Sequence, residues 1–418
     1  MKMTFRWFYI QEFFRDLKTQ KNRAFLTAFA IAWGTLAVVL LLAFGEGFKI
    51  QTAKGLANAG NRIMIIYGGQ TTKTYRGLPE GRNIRLTVTD EQLLKESLPE
   101  IGLISVQYGH WNAQLTTPKA SVVTFLVGVE PSFETMRRMY PIKGSRFLNR
   151  PDMQNRRRVV FLGDEIAGEL FGQENPVGKS LMINHIPFTV IGIMLKKLQT
   201  SMNNGPDSRR AVIPASTFRA IYGNRYVRQI VVRPRKMSDD VMLKKQIRTL
   251  LGQRHRFDPT DSNALWIWDF IKQEQTTHKI FVGIQIFLGL IGGLTLLVAG
   301  VGVANIMFVI VKERTHEIGI KKAVGARKSH ILSQFIFESL LITALGGFAG
   351  LLFSWLFVKA MGLLPFDKPP LQYLGEPRLS LTTMLITVFI LGTIGLLAGL
   401  LPARQAAQVN PVESLRYE

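Results

Sequence analysis

Four apolar runs with almost no charge decide what this chain can become. Ala24 to Gly45 is 22 residues without a charge, Ile280 to Val311 is 32, and Leu381 to Leu401 is 21. Phe335 to Val358 carries one charge, Glu338, in 24 residues. A helix that crosses the hydrocarbon core of a bilayer needs about 20 apolar residues. The runs therefore predict four transmembrane helices rather than the buried helices of a large soluble core. A hydrophobic content of 47% is ordinary for a globular protein, so it is the clustering that carries the prediction. Within the runs, Asn305 and Glu338 are the candidate membrane-embedded polar residues, and an ionisable group such as Glu338 is a functional candidate by default. The other reading of Glu338 is that it snorkels to the surface and pairs with Lys328 or Arg327.

Basic residues beside the spans set the orientation. Residues 1–23 carry six, and 312–330 carry six more, namely Lys312, Arg314, Lys321, Lys322, Arg327 and Lys328. The loop 359–380 carries three, offset by Asp367 and Glu376. Both termini and the 312–330 loop are thus expected in the cytoplasm, with residues 47–279 outside the inner (plasma) membrane. The first run is too long for a signal-peptide core and lacks a convincing small-residue cleavage site, so it reads as a retained anchor. The expected order is a cytoplasmic amphipathic helix at 1–23, a first span at 24–46, the extracytoplasmic domain at 47–279 and a second span with a stalk at 280–311. A cytoplasmic segment at 312–330, a third span at 331–358, an external loop at 359–380, a fourth span at 381–402 and a tail at 403–418 complete it.

The second run is too long for a bilayer. Its 32 residues reach about 48 Å as a helix, against a hydrocarbon core of roughly 30 Å. Tilt absorbs part of the excess, and the rest is expected to project as a stalk. Gly289-x-x-x-Gly293, Gly346-x-x-x-Gly350 and Gly395-x-x-x-Gly399 offer close helix contacts, although glycine is common in membrane helices anyway. Thr4 to Thr19 reads as an aromatic-rich, basic, imperfectly amphipathic helix, lying in the lipid headgroup layer or binding a partner.

Residues 47–279 read as mixed α/β. Candidate strands are 62–67, 122–127, 159–162, 180–183, 188–194, 211–213 and 229–233, short β-branched runs bounded by turn residues. Asp164–Phe171 and Asp239–Leu251 read as helices, the second with Ser238 as N-cap. Gly172 to Ser180 imitates a phosphate-binding loop, but it has five residues between its glycines and leads into a strand-like run. A β-turn with a solvated Lys179 is expected instead. There are six histidines, none at metal-ligand spacing, no Gly-x-Ser-x-Gly elbow and no cysteine. No cofactor, metal or catalytic constellation is expected. The domain holds 35 lysines and arginines against 19 acids. Outside the cytoplasm nucleic acid is not the expected partner. The excess implies anionic membrane lipids or an acidic partner, or simply reflects a host whose proteins are basic.

The segment Glu313 to Ile331, ERTHEIGIKKAVGARKSHI, resembles the loop between the second and third membrane helices of the MacB/FtsX-like permeases of ABC transporters. That loop has the pattern E-R-x-x-E-I-G-I-x-K-A-x-G-A. Glu313, Arg314, Glu317, Ile318, Gly319, Ile320, Lys322, Ala323, Gly325 and Ala326 match it, with basic residues including Arg327 and an Ile331-Leu332 pair behind. Val159 to Met194 is similar to the middle of a MacB-type periplasmic core domain, and Leu401 to Glu418 matches the family ending. The resemblance implies an α-helical membrane protein with four transmembrane helices and a two-lobed mixed α/β domain between the first and second, with an inserted lobe near 130–225.

It also implies a membrane subunit that is not itself an enzyme. ATP would be bound by a separate ABC ATPase subunit pressing on 312–330, and a second permease copy or paralogue would complete the unit. In that frame Arg314 to Ala326 should be a short helix in a groove of the ATPase. Glu317 and the basic residues would face the groove, with Ile318 and Ile320 packed inward. Gly319 and Gly325 would allow close approach or a turn, or Gly325 would simply end the helix. Efflux of drugs or peptides through a periplasmic adaptor and outer-membrane duct is the first implied function. Lipoprotein or lipid extraction and FtsX-type signalling to cell-wall hydrolases are its rivals.

Overall fold

The structure, a computed structural model, describes residues 21–414 apart from Ser201, Asn224, Asp367 and Pro369. The expected surface helix at Thr4–Thr19 lies outside the described residues. The chain divides into two compact units, Met1–Gln51 with Lys279–Glu418, and Thr52–His278.

The first unit is helical. Its long helices are Lys21–Ala59, Phe270–Glu313, Lys328–Met361 and Leu381–Gln408, all long and apolar enough to cross a membrane. The first runs on to Ala59 and the second starts at Phe270, so both extend past their apolar runs, and the domain cut falls inside each. Phe29, Leu294, Val298 and Phe389 are more than half exposed, as lipid-facing side chains are; in water they would be an aggregation surface.

Lipid gives no hydrophobic drive for helix association, so small residues must let backbones meet. A Cβ on Gly346 or Gly350 would strike the Ala28 and Ala32 carbonyls of the first span. Gly395 and Gly399 lie against Thr343 and Ser339 of the third span, and Ser339 Oγ donates to the Gly395 carbonyl at 2.8 Å. Two of the three glycine pairs are thus contacts within the chain. Gly289 and Gly293 face open space.

The second unit is built on nine strands: β1 (Met64–Gly68), β2 (Ile101–Thr116), β3 (Ser121–Val129), β4 (Val159–Leu162), β5 (Ser180–Ile183), β6 (Ile186–Ile193), β7 (Arg210–Pro214), β8 (Gln229–Pro234) and β9 (Leu265–Asp269). Their order is β3-β7-β4-β6-β5-β2-β8-β1-β9, and β3 also pairs with β2. Six strands therefore close into a ring, while β8, β1 and β9 continue outward from β2. The 16-residue β2 serves both parts: Ile101–Gln107 pairs with β8, and Gln107–Thr116 with β3. The ring thus includes β2 and β3, which precede residue 130. Under the open part, Leu94 of the helix Val88–Ser97 and Leu243, Ile247 and Leu251 of the helix Asp240–His255 are buried in one cluster with Met64, Ile66 and Val232.

The imitation phosphate loop is a turn: Lys179 N–H donates to the Pro176 carbonyl at 3.0 Å, and Ser180 opens β5. Lys179 is not simply solvated, because it shares Glu174 with Lys119. Helix Asp240–His255 is capped at Asp239 rather than at Ser238, whose hydroxyl donates to the Asp239 carboxylate at 2.9 Å.

Glu130, directly after β3, gives the domain a pH dependence. Burial, with the Glu91 charge adding to it, pushes its carboxyl up to about 7. Between the ordinary carboxylate range and pH 7 the folded chain then holds a proton that the unfolded chain has lost. Stability must fall as pH rises through that window. Full ionisation costs the fold at most about 3 kcal/mol. Thermal unfolding of the detergent-solubilised chain should give a lower Tm at pH 7.5 than at pH 5.5, and Glu130→Gln should shrink the difference. An unchanged difference in the variant would place the pH dependence elsewhere.

Candidate functional site

The 313–331 segment forms a short helix clamped between two spans and the tail. The second-span helix ends at Glu313, and Arg314 breaks its geometry with φ −96° and ψ 12°. Thr315 Oγ1 donates to the Val311 and Lys312 carbonyls, covering two acceptors that a helix end leaves open. The new helix runs Thr315–Ala323, shorter than the expected Arg314–Ala326. Its end explains why. Gly325 N–H donates to the Lys322 carbonyl at 3.1 Å and Ala326 N–H to Lys321 at 2.9 Å, with Gly325 at φ +101°. This is a glycine-terminated helix cap, so Gly325 ends the helix and Ala326 lies beyond it. Arg327 then takes the cap position of the third-span helix, Lys328–Met361.

Ile318 and Gly319 are buried, while Glu317, Ala323, Val324 and Arg327 are exposed. Ile320, expected to pack inward with Ile318, is 44% exposed. Side chains two positions apart on a helix diverge by about 200°, so one face cannot bury both.

The buried face meets the tail. A Cβ on Gly319 would land on the Ser414 hydroxyl of the short helix Pro411–Ser414. His316 Nδ1 lies 3.2 Å from the Ser414 carbonyl. Lys322 Nζ donates to the Ala407 carbonyl at 3.0 Å and to the Val409 carbonyl, placing a cation on the C-terminal end of the fourth-span helix. Gly319 is therefore a close-approach glycine.

A second set of contacts ties the same region to the third span. Glu338 is buried and accepts from Arg314 Nη1 at 3.3 Å and from Gln334 Nε2 at 3.2 Å. Lys321 Nζ lies 3.5 Å from Gln334 Oε1. The partner of Glu338 is thus Arg314, not Lys328 or Arg327. Lys328 is ten residues earlier on the same helix, about 15 Å away along the axis, whereas helical pairs need a spacing of three or four. Asn305 lies on the exposed side of the second span, apart from this cluster.

Sequence reasoning did not single out His316, Lys321, Gln334 or Ser414 for this site. Their contacts join positions up to 98 residues apart, which no local spacing reveals. Chemically the arrangement offers attachment rather than reaction. Among the described residues no group of three or more His, Asp or Glu could hold a metal ion. The short helix is fixed to the third span, the end of the fourth and the tail, and presents Glu317 outward.

Two family models match the chain: a MacB-like periplasmic core domain over residues 24–250, and an FtsX-like permease C-terminal region over 289–411. A macrolide export ATP-binding/permease protein MacB of Bdellovibrio bacteriovorus is 29% identical over 98% of this chain and 62% of its own length. A pyoverdine export ATP-binding/permease protein PvdT of Pseudomonas syringae pv. syringae is 30% identical over 98% of this chain and 60% of its own. The chain thus spans about 60% of the length of these relatives. Among solved structures, the periplasmic region of MacB from Actinobacillus actinomycetemcomitans aligns with a TM-score of 0.43 at 21% identity, over 54% of this chain and 96% of that one. The extracellular domain of the transporter YknZ aligns at 0.41 and 14% identity, over 50% of this chain and all of that one.

Proposed function

The chain belongs to the MacB-like family, and on that footing we propose that it is the permease subunit of an ABC exporter, driven by ATP that a partner ATPase subunit binds. The reading places the protein in the inner membrane with both termini in the cytoplasm and the α/β domain in the periplasm. The observation that carries it is the clamped helix Thr315–Ala323, held on one face by Gly319, Lys322 and Arg314 and exposed on the other at Glu317. A helix held this way passes a push to the third span, the fourth span and the tail together. The second-span helix, unbroken from Phe270 to Glu313, would carry the movement on to the periplasmic domain.

Two copies, or one copy and a paralogue, would flank two ATPase subunits, and a periplasmic adaptor and outer-membrane duct would receive the cargo. Support for export comes from the relatives, whose names record macrolide and pyoverdine export. Small drugs and peptides are the proposed substrates.

The test is reconstitution with a co-expressed ABC ATPase of the same genome. The wild-type chain should stimulate ATP hydrolysis and drive efflux, read as ATP-dependent uptake into inverted vesicles. Reversing one interfacial charge costs a few kcal/mol, so Glu317→Arg should cut both by at least about tenfold. Stimulation and efflux at the wild-type level in Glu317→Arg would remove the short helix from the coupling path.

A further inference from the structure

The α/β domain holds a cleft of about 450 Å³ lined by Arg156, Ser216, Arg219, Ala220, Gly223 and Arg225. Its cations come from separate places. Arg156 follows the helix Arg150–Gln154 in a left-handed turn at φ +47°, Arg219 belongs to the helix Ala215–Tyr222, and Arg225 follows that helix's Gly223 cap. Ser216, Arg219, Ala220 and Gly223 recur at helical spacing, so one helix face forms a wall. Elsewhere in the domain, Arg146 and Arg157 share Asp152, and Arg209 holds Glu169. Among the described residues Arg156, Arg219 and Arg225 have no such carboxylate. Among the described residues no acid lines the cleft, and the positive φ of Arg156 is unfavourable for a non-glycine residue.

We propose that this cleft docks an acidic segment of an extracytoplasmic partner protein, which presents several carboxylates to the three guanidiniums. A small free anion is the poorer fit. It would need buried donors or a helix N-terminus, whereas this helix brings its C-terminal turn, which carries partial negative charge. Two of the backbone donors beside it are already engaged: Gly223 N–H on the Arg219 carbonyl, and Arg156 N–H on Met153. Binding then rests on exposed guanidiniums, each worth little alone in water. A useful affinity needs several carboxylates on one chain, which a protein segment supplies. Arginine is also the cation enriched at protein interfaces, where its planar fork pairs with carboxylates two bonds at a time. The extracytoplasmic setting rests on the orientation proposed above, but the binding does not depend on the ATPase and is measured on the chain alone.

The experiment uses the full chain in detergent and a fluorescent hexaglutamate peptide, read by anisotropy at low salt. Binding should be saturable and should weaken as salt rises. The triple variant Arg156→Gln, Arg219→Gln, Arg225→Gln should weaken it at least about tenfold. Removing the same number of exposed charges elsewhere, by Arg76→Gln, Lys143→Gln and Lys236→Gln, should leave it within about twofold. Ala220→Trp keeps every charge but fills the cleft, and should weaken binding as the triple variant does. Equal losses in both triple variants, or full binding in Ala220→Trp, would show that net charge and not the cleft attracts the peptide, and would overturn the proposal. Complete displacement of the peptide by an equal concentration of inorganic phosphate would also overturn it, in favour of a small-anion site.

Discussion

Replacing Asp207 by alanine should unfold the α/β domain. Asp207 is fully buried, and so are Arg137 and Arg210, while the Lys197 side chain is 8% exposed. The carboxylate accepts from Arg137 Nη2 at 2.8 Å and from Lys197 Nζ at 2.7 Å, and lies 3.2 Å from Arg210 Nη1. One anion therefore serves three cations. Burial alone would raise the Asp207 pKa, but Arg137, Lys197 and Arg210 together outweigh it and hold the group well below the usual carboxylate range. Burial pulls Lys197 down to about 8 despite Asp207 beside it.

Losing one partner of a buried pair costs about 3–5 kcal/mol, because the other charge is stranded. Here three would be stranded, in a cluster where Arg137 Nε and Nη1 and Arg210 Nε already have no hydrogen-bond partner. Whole domains are stable by about 5–15 kcal/mol, so Asp207→Ala consumes most of that margin. Protease resistance of the domain in the purified chain should be lost. Replacing the whole cluster with apolar side chains, by Arg137→Met, Lys197→Met, Asp207→Leu and Arg210→Met, should recover most of it. A Tm for Asp207→Ala within a few degrees of wild type would mean that water relaxes the cluster and the charges are not stranded.

That cluster also marks where the sequence stops being readable. Arg209-Arg210 and Lys196-Lys197 look like paired surface charges, yet each pair divides. Arg209 stays outside with Glu169, while Arg210, the next residue and the start of β7, points inward. The split falls where the turn Asp207–Arg209 gives way to β7, and its direction depends on Asp207 and on Arg137, which lies 70 residues before Asp207. Local signals read better. β4, β5 and the helix Asp164–Phe171 occupy the residues their patterns predict, and the four spans follow from the length of runs with almost no charge.

β2 went unread because its 16 residues include Gly102, Gly109 and Asn112 at φ +60°, with a register shift between His110 and Ala113. Such residues normally end a strand, and here they let one strand serve both the ring and the open sheet. At the candidate site the motif residues were legible, but their partners in the tail and third span were not. Those contacts exist only once separate helices are brought together.

Gly319→Val should abolish ATP-driven transport while leaving the α/β domain folded. Valine is tolerated in helices at a cost of well under about 1 kcal/mol, so Thr315–Ala323 itself should survive. The damage falls on the tail. A Cβ at 319 lands on Ser414 Oγ and comes within 2.8 Å of Ser414 Cβ. Ser414 can withdraw only by giving up its carbonyl contact with His316 and its backbone bond to Asn410. Gly325→Ala is the matched control. At φ +101° it strains the backbone by about 1–2 kcal/mol, but its Cβ would meet nothing, so most transport should remain.

Because the chain has no cysteine, a single Ser414→Cys substitution can report tail release by its rate of maleimide labelling. The site is 5% exposed, so labelling should be slow in the otherwise wild-type chain and fast when Gly319→Val is added. Transport that survives Gly319→Val although the thiol at position 414 labels rapidly would mean the tail is a passenger. The push would then pass through Arg314 and Glu338 into the third span alone, and Glu338→Gln, not Gly319→Val, would be the uncoupling change.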